Sequence, residues 1–121
     1  MYATHVPVSL ERIPGNACCP KYARANVSSS GVLTTATMAR GGSWVTSGKR
    51  KLKASELRAL RSDLRTFNPA DLKGDSAGCN GAPIGDIGGY DLRVGKHESN
   101  CPPKSANRLI RLLSRWLPAS N

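Results

Sequence analysis

The chain has 121 residues, room for one domain spanning residues 1–121. It carries 18 lysines and arginines against 8 aspartates and glutamates, a formal charge of +10. With one Phe, two Trp and three Tyr, the core must be built mostly from Leu, Val, Ile and Ala. Uncharged apolar runs of only a few residues exclude a bilayer-spanning helix, and 12 glycines with 8 prolines imply many turns without a disordered composition.

Met1–His5 has neither the basic start nor the apolar centre of a signal peptide, so none is expected. Val6 to Arg12 alternates apolar and polar residues, and Pro7, which cannot donate to a ladder, predicts an edge strand. Pro14-Gly15-Asn16 is turn chemistry leading to Cys18-Cys19-Pro20. Tyr22, Arg24, Asn26 and Ser28 then alternate with Ala23, Ala25 and Val27, a second strand. Ser29-Ser30-Gly31 makes a hairpin turn. Val32 to Arg40 returns as a third strand, Gly41-Gly42 breaks it, and Ser43 to Thr46 begins a fourth. Ser47 to Lys51 is expected as an exposed basic turn or strand end.

Leu57, Leu60, Leu64 and Phe67 recur at three- and four-residue steps and predict the first helix. Lys53 or Ser55 stands at its start, Glu56 favours the positive end of its dipole, and Asn68-Pro69 ends it. A glycine-rich connection from Asp71 to Gly89 follows. Gly89 to Val94 alternates as a fifth strand, and a short sixth through His97 and Ser99 reaches Cys101. The last helix starts near Pro103 and buries Ala106, Leu109, Ile110, Leu113, Trp116 and Leu117. The expected architecture is α+β: an antiparallel sheet of four to six strands with two amphipathic helices packed on one face.

Four cysteines in a small, turn-rich chain point to an oxidising compartment, secreted or periplasmic. Cys79 and Cys101 bracket the fifth-strand segment, so folding it back brings them together. Four cysteines permit three pairings; Cys79–Cys101 is the expected one, worth roughly 3 kcal/mol by loop-closure entropy. The adjacent Cys18 and Cys19 suit free thiols, an intermolecular link or pairs with the other two. Adjacent or isolated cysteines do not fit the paired spacing of zinc ligands, so neither metal nor cofactor is expected. No nucleophile elbow, phosphate loop or metal-binding helix motif occurs. Asp86 with Asp91 could serve as acid and base, but turn and solvated roles are commoner. His97 near Cys101 makes no thiol enzyme if Cys101 is oxidised. The chain is therefore expected not to be an enzyme.

Arginines supply the candidate binding residues. Arg58, Arg61 and Arg65 recur on the first helix, and Arg108, Arg111 and Arg115 repeat that spacing on the last. Lys49, Arg50, Lys51 and Lys53 add a third cluster. These side chains either solvate their helices or recognise phosphate or carboxylate groups. Base stacking needs exposed aromatics, for which Tyr22 and Trp44 are the candidates.

Val8-Ser9-Leu10-Glu11-Arg12, followed by Cys19-Pro20-x-Tyr22 and Gly31, resembles the opening of a bacterial lipoprotein domain family of unknown function. Ser55-Glu56-Leu57, Asp86, Pro103 and Trp116 sit where that family has its helix, aspartate strand and final helix. The order of elements is also similar to emfourin-type protease inhibitors, which lack this cysteine pattern. The Cys18-Cys19 doublet and the basic character depart from the family pattern. The resemblance implies an exported binding domain and carries no catalytic residue. The expectation is an exported binding protein, an inhibitor or immunity protein that neutralises a hydrolase or toxin with an acidic surface. Loops Pro14–Pro20 and Ala77–Pro83 are candidates for insertion into that partner. The alternative is a nucleic-acid-binding accessory protein.

Overall fold

A computed structural model describes residues 6–14, 21–39, 41–72 and 89–118. Strand β1 (Val8–Ile13) pairs antiparallel with β2 (Tyr22–Val27) on one side and β5 (Gly89–Val94) on the other. It is thus a central strand, which corrects the expected edge position. Pairing on both sides begins at Val8, so the missing donor of Pro7 costs the ladder nothing. The Pro7 carbonyl is used instead, accepting from Gly95 N–H at 2.8 Å.

The alternation of β2 buries Ala23, Ala25 and Val27, and a turn at Ser28–Gly31 leads to β3 (Val32–Met38). Ser28 closes this turn twice: its carbonyl accepts from Gly31 N–H at 2.9 Å, and its Oγ from Val32 N–H at 3.1 Å. Gly31 has φ +87°, and a Cβ there would stand 3.1 Å from Leu57 Cδ2, so both conformation and space call for glycine. Strand β4 (Val45–Lys51) pairs with β3 through an irregularity at Thr35/Ala36. Ser47–Lys51, expected as a turn or strand end, is therefore ladder: register pairs run from Val32↔Lys51 to Thr37↔Val45. Every β4 residue is exposed, so no alternation of burial marks it.

Helix α1 (Ala54–Thr66) carries the predicted stripe, with Leu60, Leu64 and Phe67 buried and Leu57 packed against them. Glu56 organises its start. Its Oε1 accepts from Lys53 N–H at 2.8 Å, and both carboxylate oxygens accept from Arg50, at 2.8 and 2.9 Å. The Arg50 fork, followed by the Lys53 amide, holds the Glu56 carboxyl at about 2, well below its ordinary 4.5. A depressed carboxyl contributes stability above pH 4.5 and loses it as pH falls towards 2. Glu56→Gln is expected to cost about 0.5–1 kcal/mol at pH 7, given the exposure of the pair. Thermal melts at pH 7 and pH 2 check this, with most of the difference lost at the lower pH.

Beyond α1, Asn68 accepts from Ala70 N–H at 3.1 Å and starts a 3₁₀ turn, Pro69–Asp71. Strand β6 (His97–Ser99) pairs with β5. A 3₁₀ turn behind Pro103 leads into helix α2 (Asn107–Ser114). The α+β class holds: among the described residues six antiparallel strands run in the order β4-β3-β2-β1-β5-β6. The alternation puts Val8, Leu10, Ala25, Val27, Leu33, Leu92 and Val94 on one side of the sheet. They form one contiguous buried cluster with Leu60, Leu64, Phe67, Ala106, Leu109 and Leu113. No described helix is long and apolar enough to cross a membrane.

Candidate functional site

The two arginine triplets occupy different surroundings. On α1, Arg58 and Arg65 are exposed to solvent, while Arg61 borders a small hollow with Ser28, Ser29 and Leu57. The other flank of α1 presents Ala59, Ser62 and Asp63 to a groove shared with α2. Arg108, Arg111 and Arg115 line that groove, whose volume is about 320 Å³. Arg108 Nε lies 3.8 Å from Asp63 Oδ1 with its side chain 79% exposed, so this contact anchors it weakly.

Arg115 also lines a second hollow of about 450 Å³, with Leu33, Gly48, Lys49, Arg50 and Trp116. The fold thereby joins the α2 triplet to the basic end of β4, two clusters far apart in the chain. Arg50 is engaged by Glu56, but Arg111, Arg115 and Lys49 form no ion pair among the described residues. Hollows of this size admit several side chains. Guanidinium and ammonium groups on their walls suit carboxylates or phosphates rather than an apolar ligand.

Trp116, expected wholly within the helix core, is only partly buried: it packs against the core and also contributes to the second hollow. The sequence signal is slight, a tryptophan next to Arg115, and both lie just past the end of α2 rather than within the helix expected to hold them. Of the two expected stacking aromatics, Trp44 is occupied, with the Arg24 guanidinium 4.1 Å from its ring centroid. Tyr22 pairs with Met38 in the β2–β3 ladder and is half-buried.

The other side of the sheet holds a carboxylate group in which Asp91, considered from the sequence only as a partner of Asp86, meets Glu11 and Glu98 instead. Glu11 lies opposite Asp91 on β5 and opposite Arg24 on β2, and Arg93 Nη2 donates to Glu98 Oε1 at 2.9 Å. Burial, the hydrogen bond with Glu98 and the charges of Glu98 and Glu11 push Asp91 up to about 7. Glu98 moves down because Asp91 and Arg93 both donate to it, and Glu11 moves up mainly through burial. An acid raised from 3.8 to about 7 contributes fully below pH 3.8 and loses that contribution as pH rises through 7. Asp91→Asn keeps a donor for Glu98 and removes the charge. At pH 8 it is expected to stabilise by about 1 kcal/mol, after allowing for solvent screening. That amounts to about 4 °C in melting temperature, and the gain disappears at pH 4. Melting curves across this range check it.

Cys101 is disulfide-bonded, its partner lying outside the described residues, as do Cys79, Cys18 and Cys19. Asp86 and residues 15–20 and 77–83 of the two candidate loops also lie outside them. Among the described residues no group of three or more His, Cys, Asp or Glu side chains could hold a metal ion. Comparison with protein-family models and with curated protein sequences gives no match.

Proposed function

We propose that this is an exported, non-enzymatic binding protein that neutralises a hydrolase or toxin by docking on its acidic surface. One observation carries the reading: Arg115 stands in both hollows, so Arg108, Arg111, Arg115, Lys49 and Arg50 border one basic surface. Steering by such a surface raises the rate of encounter with an acidic partner and discriminates against a basic one. The shared apolar cluster supports both helices lying over the same sheet face, and Arg115 and Trp116, just past the end of α2, reach the hollow that Lys49 and Arg50 of β4 also line. The disulfide at Cys101 supports an oxidising location, secreted or periplasmic, with Cys79 as the proposed partner. The likeness in element order to emfourin-type inhibitors agrees with this role.

Trp116 in the second hollow favours a second reading, a nucleic-acid-binding accessory protein, since an aromatic amid cations can receive a base. The test is a comparison of charge-reversed triplets, Arg108→Glu/Arg111→Glu/Arg115→Glu against Arg58→Glu/Arg61→Glu/Arg65→Glu. Each is titrated at low ionic strength with an acidic polypeptide (poly-glutamate) and with a mixed single-stranded oligonucleotide. Selective loss of polypeptide binding in the α2 variant supports the first reading. Tighter binding of the oligonucleotide, with the same selectivity, supports the second.

A further inference from the structure

We infer that β4 is the docking edge, and that the acidic partner contributes an extended segment that adds to it as a further strand of the sheet. The inference rests on the acidic-protein reading and specifies how that partner is held. Among the described residues strand β4 ends the sheet, opposite the short β6, and all seven of its residues are exposed. It therefore presents a row of backbone donors and acceptors that the sheet does not use.

The direction of those groups follows from the ladder. Leu52 N–H donates to the Gly31 carbonyl at 2.9 Å, so alternation turns the backbone groups of Arg50 and Gly48 towards β3. Those of Lys51 and Lys49 then face outward. Beside them stand the side chains that choose the occupant. Lys49, Arg50 and Lys51 are consecutive, so a neutral or basic strand gains little there and a carboxylate-bearing one is favoured.

On the helix side the edge opens into the hollow of Leu33, Gly48, Arg115 and Trp116. Gly48 is what leaves it open: a Cβ there would stand 3.1 Å from Thr35 Oγ1. Side chains of an added strand alternate between this hollow and the opposite face. An apolar residue can lie over Leu33 and Trp116 while acidic neighbours meet Lys49 and Lys51 across the edge. Lysines that protect the edge against indiscriminate pairing thus act as the selector for an acidic segment.

The probe is an end-blocked peptide of alternating glutamate and valine, compared with the same peptide N-methylated throughout and with an oligonucleotide of equal charge. Binding is read by fluorescence anisotropy, and backbone protection by amide hydrogen exchange. Lys49→Pro removes one outward donor while sparing the β3 ladder, and Lys49→Gln removes only the charge. The expected result is slowed exchange at Lys49 and Lys51 with the unmodified peptide. Lys49→Pro should weaken binding about tenfold and Lys49→Gln only about threefold, as a backbone hydrogen bond outweighs one exposed charge. If Lys49→Pro fails to fold, as circular dichroism would reveal, the methylated peptide on the native protein decides alone. Equal affinity of the two peptides, with unchanged exchange, overturns strand addition but leaves the basic docking surface standing. Failure of both peptides to bind overturns both proposals, and preferential binding of the oligonucleotide overturns the choice of a protein partner.

Discussion

Leu10→Ala should cost this protein about 2–5 kcal/mol, roughly a third of the stability of an ordinary small domain, and lower its melting temperature by about 10–20 °C. Leu10 is fully buried in the middle of β1, opposite Ala25 on one side and Leu92 on the other. Truncation removes apolar area from water and leaves a cavity as well. Closing that cavity would require shifting a strand tied to neighbours on both sides, and Ala25 is too small to fill it. Val45→Ala on the exposed edge is the control, because Val45 is 64% exposed. It should change stability by no more than about 0.5 kcal/mol. Denaturant or thermal unfolding measures both, and equal effects would contradict the central position of β1.

Reversing Arg108, Arg111 and Arg115 together should weaken binding of an acidic polypeptide about 100-fold at low ionic strength. Each exposed charge contributes on the order of 1 kcal/mol to such an encounter, and three such contributions correspond to a factor of this size. The same reversal at Arg58, Arg61 and Arg65 changes net charge equally, yet should cost only about threefold because those residues lie away from Lys49 and Trp116. Comparing the triplets separates a local surface from a general field, since equal losses would mean that net charge alone attracts the partner. The altered side chains are exposed, so circular dichroism melts should stay close to those of the native chain. A modest loss of stability is expected from Arg115→Glu, which sets a carboxylate against the negative end of α2.

The parts of the fold visible beforehand were those encoded within a few residues. The stripe of Leu57, Leu60, Leu64 and Phe67 marks α1 because one helical turn brings positions three and four apart together. Gly89–Val94 was likewise legible as a strand from its alternation, as was the Ser28–Gly31 turn from its glycine. Strand β4 is only half legible for the complementary reason: Ser47–Lys51 is polar and wholly exposed, and only its pairing with β3 makes it a strand. Pro7 points to an edge for β1, whereas its second neighbour, β5, comes far later in the chain and makes the strand central.

The candidate site divides the same way. The individual arginines and the lysine-rich end of β4 were countable in the chain, and their spacing already placed each triplet on one side of a helix. That Arg115 connects Arg108 and Arg111 to Lys49 and Arg50, with Trp116 between them, depends on where α2 sits beside the sheet. The Glu11–Asp91–Glu98 group is equally a product of strand order, as its members meet only across β1, β5 and β6. Charge, the local elements and the redox-sensitive chemistry follow from the amino acids themselves, since those depend on side-chain identity and short-range periodicity. Which cations share a surface, which carboxyls repel and which strand is left open were decided by the tertiary structure, because burial of the apolar cluster sets the distances between residues far apart in the chain.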